Sequence, residues 1–241
     1  MDERLKNIVD KSQSIVFFGG AGVSTESNIP DFRSEKGLYS AKAQYGHSPE
    51  EILSHTFFVR HTEVFFDYYK NNLIYKNAQP NEAHKAIAAL EEQGRLTAVV
   101  TQNIDGLHQK AGSKNVFELH GSVLRNYCMD CGRSYDVEYI TDDDHCKNKI
   151  PVCEKCGGIV KPDVVLYEEM LDERCINGAV DAIMNADTLI IGGTSLVVYP
   201  AAGLIQYFRG NNLVLINKQA TPYDNRADLV INDSIGKVMK L

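Results

Sequence analysis

Short apolar runs separated by polar, helix-patterned stretches set the rhythm of this chain. Ile15 to Phe18, Thr97 to Thr101, Val116 to Leu119, Val164 to Leu166, Thr188 to Ile191, Leu213 to Ile216 and Leu229 to Ile231 are each only a few residues long and bounded by turn residues. Such runs predict strands buried on both faces. Between them, apolar positions at helical spacing predict helices over Asp2 to Lys11, Phe57 to Asn72, Asn81 to Gln93, Asp172 to Asn185 and Tyr199 to Arg209. The third has Ala83, Ile87 and Leu90 on one face and Gly94 placed as a C-cap. Strands alternating with helices imply an α/β fold built on a parallel sheet covered on both faces.

Two stretches depart from this rhythm. From about Arg125 to Val160 the chain turns polar, charged and cysteine-bearing, which predicts an inserted module. Thr188 to Ile205 is uncharged and approaches membrane-spanning length, but Gly192, Gly193, Thr194, Ser195 and Pro200 interrupt it. It reads as a buried strand, a turn and a helix start.

Composition narrows the possibilities. With 241 residues and 44% hydrophobic content, the chain can build one ample core, or one domain carrying a small satellite. A formal charge of -7 argues against a nucleic-acid footprint and permits basic peptide partners. The opening "MDERLKNIVDK" is charged and lacks an apolar signal-peptide segment, so the expectation is a cytoplasmic protein with no membrane attachment. Nothing in the pattern speaks to oligomeric state.

Candidate chemistry gathers where apolar runs end. In parallel sheets, ligands bind outside the carboxyl ends of the strands, and "GGAG", "TQNIDGLH", "ELHGS", "GGTS" and "INKQ" all begin there. Gly20, Ala21 and Gly22 resemble the turn of a dinucleotide site, but Thr25 stands where a third glycine belongs and no ribose-binding acid ends a second strand. Instead Asp31, Phe32 and Arg33 follow at once in "PDFR". Gln102, Asn103 and Asp105 offer amides and a carboxylate that serve either as turn caps or as partners for ribose and a carboxamide. Thr194, Ser195 and Asn217 carry the same two readings. His120 is either a satisfied structural residue or a general base working near neutral pH. Four cysteines form two C-x-x-C pairs, Cys128 with Cys131 and Cys153 with Cys156, which favours one tetrahedral structural Zn²⁺. Cys146 lacks such a partner, and Cys175 falls on a predicted helix.

In order and spacing, "GAGVSTESNIPDFRS", "TQNIDGLH", "ELHGS", the paired C-x-x-C motifs, "GTSLVVYPA" and "IN" resemble the sirtuin family over roughly Phe17 to Asn217. The resemblance implies an NAD-dependent protein lysine deacetylase with a Rossmann-like domain (1–40, 80–124 and 161–241) and a smaller zinc-binding domain (about 41–79, plus the zinc module 125–160). It implies that Gly20, Ala21, Gly22, Thr25, Asp31, Phe32 and Arg33 lie along the dinucleotide. Gln102, Asn103, Ile104 and Asp105 would form the nicotinamide and ribose pocket, and Gly193, Thr194, Ser195, Asn217 and Ile235 would hold the adenosine half. His120 and Asn103 would be catalytic, and Val165, Leu166 and Tyr167 would pair with the substrate backbone.

In that chemistry NAD is consumed. The acyl oxygen of acetyl-lysine attacks the ribose carbon as nicotinamide leaves, and the products are lysine, nicotinamide and O-acetyl-ADP-ribose. Protein ADP-ribosyl transfer, which breaks the same first bond, and an NAD-dependent dehydrogenase carrying a structural zinc are the alternatives.

Two departures from the family pattern stand out. Asn28 replaces a glycine, and Leu166, Tyr167 and Glu168 stand where Phe, Phe and Gly are usual. On the helix expected to line the acyl channel, Phe66 and Tyr69 replace the Tyr and Arg that select acidic acyl groups, so a non-acidic acyl group is expected.

Overall fold

The computed structural model describes residues 1–31 and 41–241. Phe32 and Arg33 lie outside the described residues. Eleven strands occur among the described residues: β1 (Ile15–Gly19), β2 (Leu96–Thr101), β3 (Val116–Glu118), β4 (Gly121–Cys128), β5 (Ser134–Tyr135), β6 (Cys146–Lys147), β7 (Ile150–Pro151), β8 (Val160–Val164), β9 (Thr188–Gly192), β10 (Asn212–Ile216) and β11 (Leu229–Ile231).

Six strands form one sheet in the order β11-β10-β9-β1-β2-β3, and every neighbouring pair is parallel. The order reverses at β1, between β9 and β2. In an open α/β sheet this topological switch opens the crevice that receives ligands. The alternation of β1 explains the two layers of core. Ile15 and Phe17 point into one cluster with Leu5, Val9, Ile87 and Val238, whereas Val16 and Phe18 point into another with Ala179, Ile183 and Leu189. Helices Glu3–Lys11, Glu82–Glu92 and Ile235–Met239 cover the first face, and Glu173–Asn185 with the 3-10 turn Ala201–Tyr207 covers the second.

The apolar run at Val164 is a correction to the sequence reading. It ends β8, which pairs antiparallel with β4 in a separate three-stranded sheet instead of joining the parallel one. A run of apolar residues specifies burial but not a pairing partner. A third cluster unites Ile52, Phe57, Phe65, Phe66 and Tyr69 with Val123, Ile140, Cys128, Cys153 and Val160, so segments distant in sequence share one core. The helix predicted over Phe57 to Asn72 divides into His55–Arg60 and Thr62–Asn72, with Ser54 capping the first through a bond to the Phe57 N–H. Gly94 follows the helix Glu82–Glu92 with a φ of 71°, as its C-cap role requires. Among the described residues, no helix is long and apolar enough to cross a membrane.

Two histidines are buried against one another on the first face. His84 and His108 meet edge to face with ring centroids 4.8 Å apart. The His84 Nδ1 accepts from the Asn81 N–H at 3.3 Å, whereas among the described residues its Nε2 and both ring nitrogens of His108 have no hydrogen-bond partner. Burial depresses both, to about 4 for His84 and about 3 for His108. The unfolded chain therefore binds protons below its ordinary histidine pKa while the folded chain does not. Their contribution to stability is full above about pH 6.5 and falls as the pH drops through the interval to about 3. Two such groups can contribute a slope of up to about 2.7 kcal/mol per pH unit. Urea midpoints measured from pH 7 to pH 4 should fall steeply; a flat profile would contradict the burial of this pair as neutral rings.

Candidate functional site

At the switch point, two glycine turns touch. A Cβ added at Gly22 would lie 2.7 Å from the Gly193 Cα, and one added at Gly193 would lie 2.4 Å from the Val23 nitrogen. Gly193 also has a φ of 60°. Both positions need glycine, because the chain at the ends of β1 and β9 packs backbone on backbone. The Gly22 N–H donates to the Gly193 carbonyl at 2.8 Å. Gly20, Ala21, Gly193, Thr194 and Ser195 line the cavity that opens above these turns. After β1 the chain forms short 3-10 turns, Ala21–Val23 and Thr25–Ser27, and then Asn28 enters the left-handed region at φ 62°. Asparagine tolerates this conformation, which explains how the turn survives without the expected glycine.

A hydrogen-bonded network ties the ends of β1, β2 and β9 together. The Gln102 Nε2–H donates to the Thr194 Oγ1 at 3.1 Å, and the Thr194 N–H donates to the Asn217 Oδ1 at 2.9 Å. The Asn103 Nδ2–H donates to the Ser24 Oγ at 3.1 Å, and the Ser24 hydroxyl donates to the Asp105 Oδ2 at 2.6 Å. Burial pushes the Asp105 carboxyl above its ordinary range, against the opposing pull of the Ser24 hydroxyl and the Leu107 N–H. Ser24 escaped the sequence reading although it lies inside "GAGVS"; its role is visible only once β2 brings Asn103 and Asp105 to it.

His120 follows β3. Its Nδ1 lies 3.0 Å from the Gln102 carbonyl oxygen. A carbonyl only accepts, so Nδ1 carries the proton and Nε2 is the basic nitrogen. The His120 carbonyl in turn accepts from the Val165 N–H at 3.0 Å, which places the segment after β8 beside the imidazole. That segment is anchored on its other side. The Tyr167 N–H donates to the Leu53 carbonyl, and the Tyr167 carbonyl accepts from the His55 N–H, both at 2.9 Å.

One cavity of about 240 Å³ takes in the glycine turns' rim, the Gln102–Asp105 loop, Ser24, His120 and the Val165 segment. Asp31, Gln102, Asn103, Asp105, His120 and Val165 line it, and Leu53, Leu73, Ile104, Leu166 and Tyr167 line it from the side of the third cluster. Four anticipated residues do not line it. Gly22 packs beneath, the Thr25 hydroxyl donates to the Gly22 carbonyl at 3.0 Å, Asn217 supports Thr194 from below, and Ile235 is buried against Gly192. Phe66 and Tyr69 are likewise fully buried in the third cluster, so the acyl-facing pair expected on that helix is not at the cavity wall, which Asn72 and Leu73 supply instead.

The Sir2 family model matches residues 20–200. The chain belongs to the Sir2 family. It is 68% identical over 236 residues to an NAD-dependent protein deacetylase of Clostridium acetobutylicum, a match covering 98% of this chain and 95% of that protein. Its fold matches a Sir2 complex with a p53 peptide and NAD⁺ at a TM-score of 0.87 and 35% identity, covering 98% of this chain and 95% of the other. It also matches a Sir2 homologue bound to 2′-O-acetyl ADP ribose at a TM-score of 0.89 and 39% identity, covering 100% and 94%.

Within this Sir2 fold, the residues present fit a dinucleotide. The two glycine turns pack backbone on backbone and leave Gly20, Ala21 and Gly193 lining the crevice, and among the described residues the buried Asn217 Nδ2 lacks a hydrogen-bond partner beneath the turn that Thr194 begins. The cysteines also meet the demands of a metal. The ligand atoms of Cys128, Cys131, Cys153 and Cys156 lie within 4.8 Å of one another, with Sγ–Sγ distances of 3.4 Å (Cys128 to Cys156) and 3.7 Å (Cys131 to Cys153). A tetrahedron with Zn–S bonds of about 2.3 Å has edges of about 3.8 Å. The Tyr135 hydroxyl donates to the Cys153 Sγ at 3.0 Å, a second-layer contact of the kind that orients thiolate ligands. Cys146 stands apart from this group, its Sγ accepting from the Lys70 ammonium at 3.1 Å.

Proposed function

We infer that this chain is an NAD-dependent protein lysine deacetylase that converts acetyl-lysine and NAD to lysine, nicotinamide and O-acetyl-ADP-ribose. The observation that carries the reading is the placement of His120 between the glycine turns of the dinucleotide crevice and the Val165 segment, within one cavity. NAD, when bound, supplies the ribose carbon that accepts the acyl oxygen, with nicotinamide as the leaving group. The Nε2 of His120 is the general base that takes a proton from a ribose hydroxyl, and the Gln102 carbonyl keeps the ring in the tautomer that can do so.

Asn103 and Asp105, fixed through Ser24, hold the nicotinamide end, with Ile104 completing that pocket. Gly193, Thr194 and Ser195 hold the adenosine half, and Asp31, Phe32 and Arg33 are assigned to the phosphate and ribose side. An acyl-lysine peptide joins as an added strand against Val165, Leu166 and Tyr167. The metal at the four cysteines is a structural zinc, since four thiolates leave no open position for chemistry. Leu53, Leu73 and Ile104 and the absence of any Lys or Arg among the described lining residues favour a non-acidic acyl group. The cytoplasm is the proposed location.

The test is incubation with NAD and acetyl-lysine peptides, following nicotinamide, free lysine and O-acetyl-ADP-ribose by mass spectrometry. The three products should rise together. Nicotinamide release with ADP-ribose left on protein would replace this reading by ADP-ribosyl transfer, and reduced nicotinamide would replace it by hydride transfer.

A further inference from the structure

Glu168 stands at the rim of the cavity, exposed, with a φ of 77°. A β-carbon makes this left-handed conformation costly, and glycine would occupy it without strain. The chain nevertheless carries a carboxylate there. Its Oε2 accepts from the Thr56 N–H at 2.9 Å and from the Thr56 hydroxyl at 2.7 Å. These bonds favour the charged form and hold the carboxyl below its ordinary range, so Glu168 is ionised at neutral pH. They engage one oxygen; among the described residues, Oε1 has no hydrogen-bond or ion-pair partner. A carboxylate oxygen in that position accepts from a cation arriving with substrate.

The neighbouring charges sharpen the contrast. The Glu169 carboxylate is already met by the Lys161 ammonium at 3.2 Å, the His55 Nδ1 at 3.0 Å and the Leu166 N–H at 2.9 Å. Arg60 is near enough to favour the charged form of Glu168, and among the described residues it forms no ion pair with it. The described residues lining the cavity include Asp31, Asp105, Glu168 and Glu169 but no Lys or Arg. A peptide entering beside Val165 and Tyr167 therefore meets the Glu168 carboxylate three residues from the first of these contacts and one from the second.

We propose that Glu168 selects acyl-lysine peptides that carry a lysine or arginine beside the modified residue. The proposal rests on the deacetylase reading of the cavity. It is tested with acetyl-lysine peptides that differ only in bearing Arg, Ala or Glu at the flanking positions, compared in the native protein, Glu168→Gln and Glu168→Gly. The measured quantity is the ratio of kcat/KM for the Arg and Glu peptides within each protein, so a change in overall level does not enter. The native protein should favour the Arg peptide by roughly two- to fivefold, mainly through KM, since an exposed pair is modest in strength. The ratio should shrink toward one at high salt and in both variants. An unchanged ratio in the variants, or no preference in the native protein, would overturn the proposal. Absence of lysine release from the Ala peptide by the native protein would instead overturn the deacetylase reading, and this proposal with it.

Discussion

Replacement of His120 by alanine should lower kcat/KM for deacetylation by about 10²- to 10⁴-fold, the range typical of a positioned general base. The imidazole Nδ1–H donates to the Gln102 carbonyl, and the backbone carbonyl of His120 accepts from the Val165 N–H. Only the first of these is lost in the variant, because the second belongs to the backbone. A net loss of about 1 kcal/mol in stability is the expected cost of one such bond, so thermal unfolding should remain cooperative and close to native. His120→Asn separates the two roles of the side chain. Its amide can donate to the Gln102 carbonyl but cannot act as a base near neutral pH, so it should be as inactive as His120→Ala while recovering part of the lost stability. Turnover of either variant at the native rate, measured as O-acetyl-ADP-ribose formed, would remove His120 from the chemistry.

Removal of the metal should abolish activity although no cysteine lines the cavity. The strands around the four thiolates are too short to persist alone: β5, β6 and β7 have two residues each. Metal binding to a structural cysteine site in a small peptide is worth about 10–16 kcal/mol in apparent terms, and part of that energy supports this module. The consequence reaches the active cavity through β8, which begins four residues after Cys156 and runs directly into Val165 and Tyr167. Loss of order in β8 releases the segment that carries the substrate strand and the bond to the His120 carbonyl. Strong chelation, or Cys131→Ser, should therefore lower the unfolding temperature and eliminate deacetylation together, and metal analysis of the native protein should return one zinc per chain. Cys146→Ser provides the contrast and should retain the metal. Full activity after complete metal loss would show that the module does not support the substrate strand.

Much of this architecture was legible from local pattern. Buried strands, their turn-bounded ends and the C-x-x-C pairs are properties of a few consecutive residues, and the ligand edge of the sheet followed from a general rule about parallel strands. Asn28 was also readable, because its tolerance of positive φ is intrinsic to its side chain. What escaped the sequence was partnership across distance. Val164 looked like one more parallel strand, yet β4 claims β8 in another sheet. Phe66 and Tyr69 aligned with an acyl-selecting pair, yet the third cluster takes both into its core. Ser24 gave no sign that it joins Asn103 to Asp105.

The division has a physical cause. Hydrophobic periodicity, glycine and asparagine conformational preference and thiolate spacing act through the nearest few residues, so the sequence by itself determined the element types, the glycine turns and the metal ligands. The tautomer of His120, the neutrality of His84 and His108 and the strained backbone of Glu168 depend on groups many residues away. Only the packing of β1, β2, β8 and β9 around one cavity brought those groups together, and only the tertiary structure could decide them.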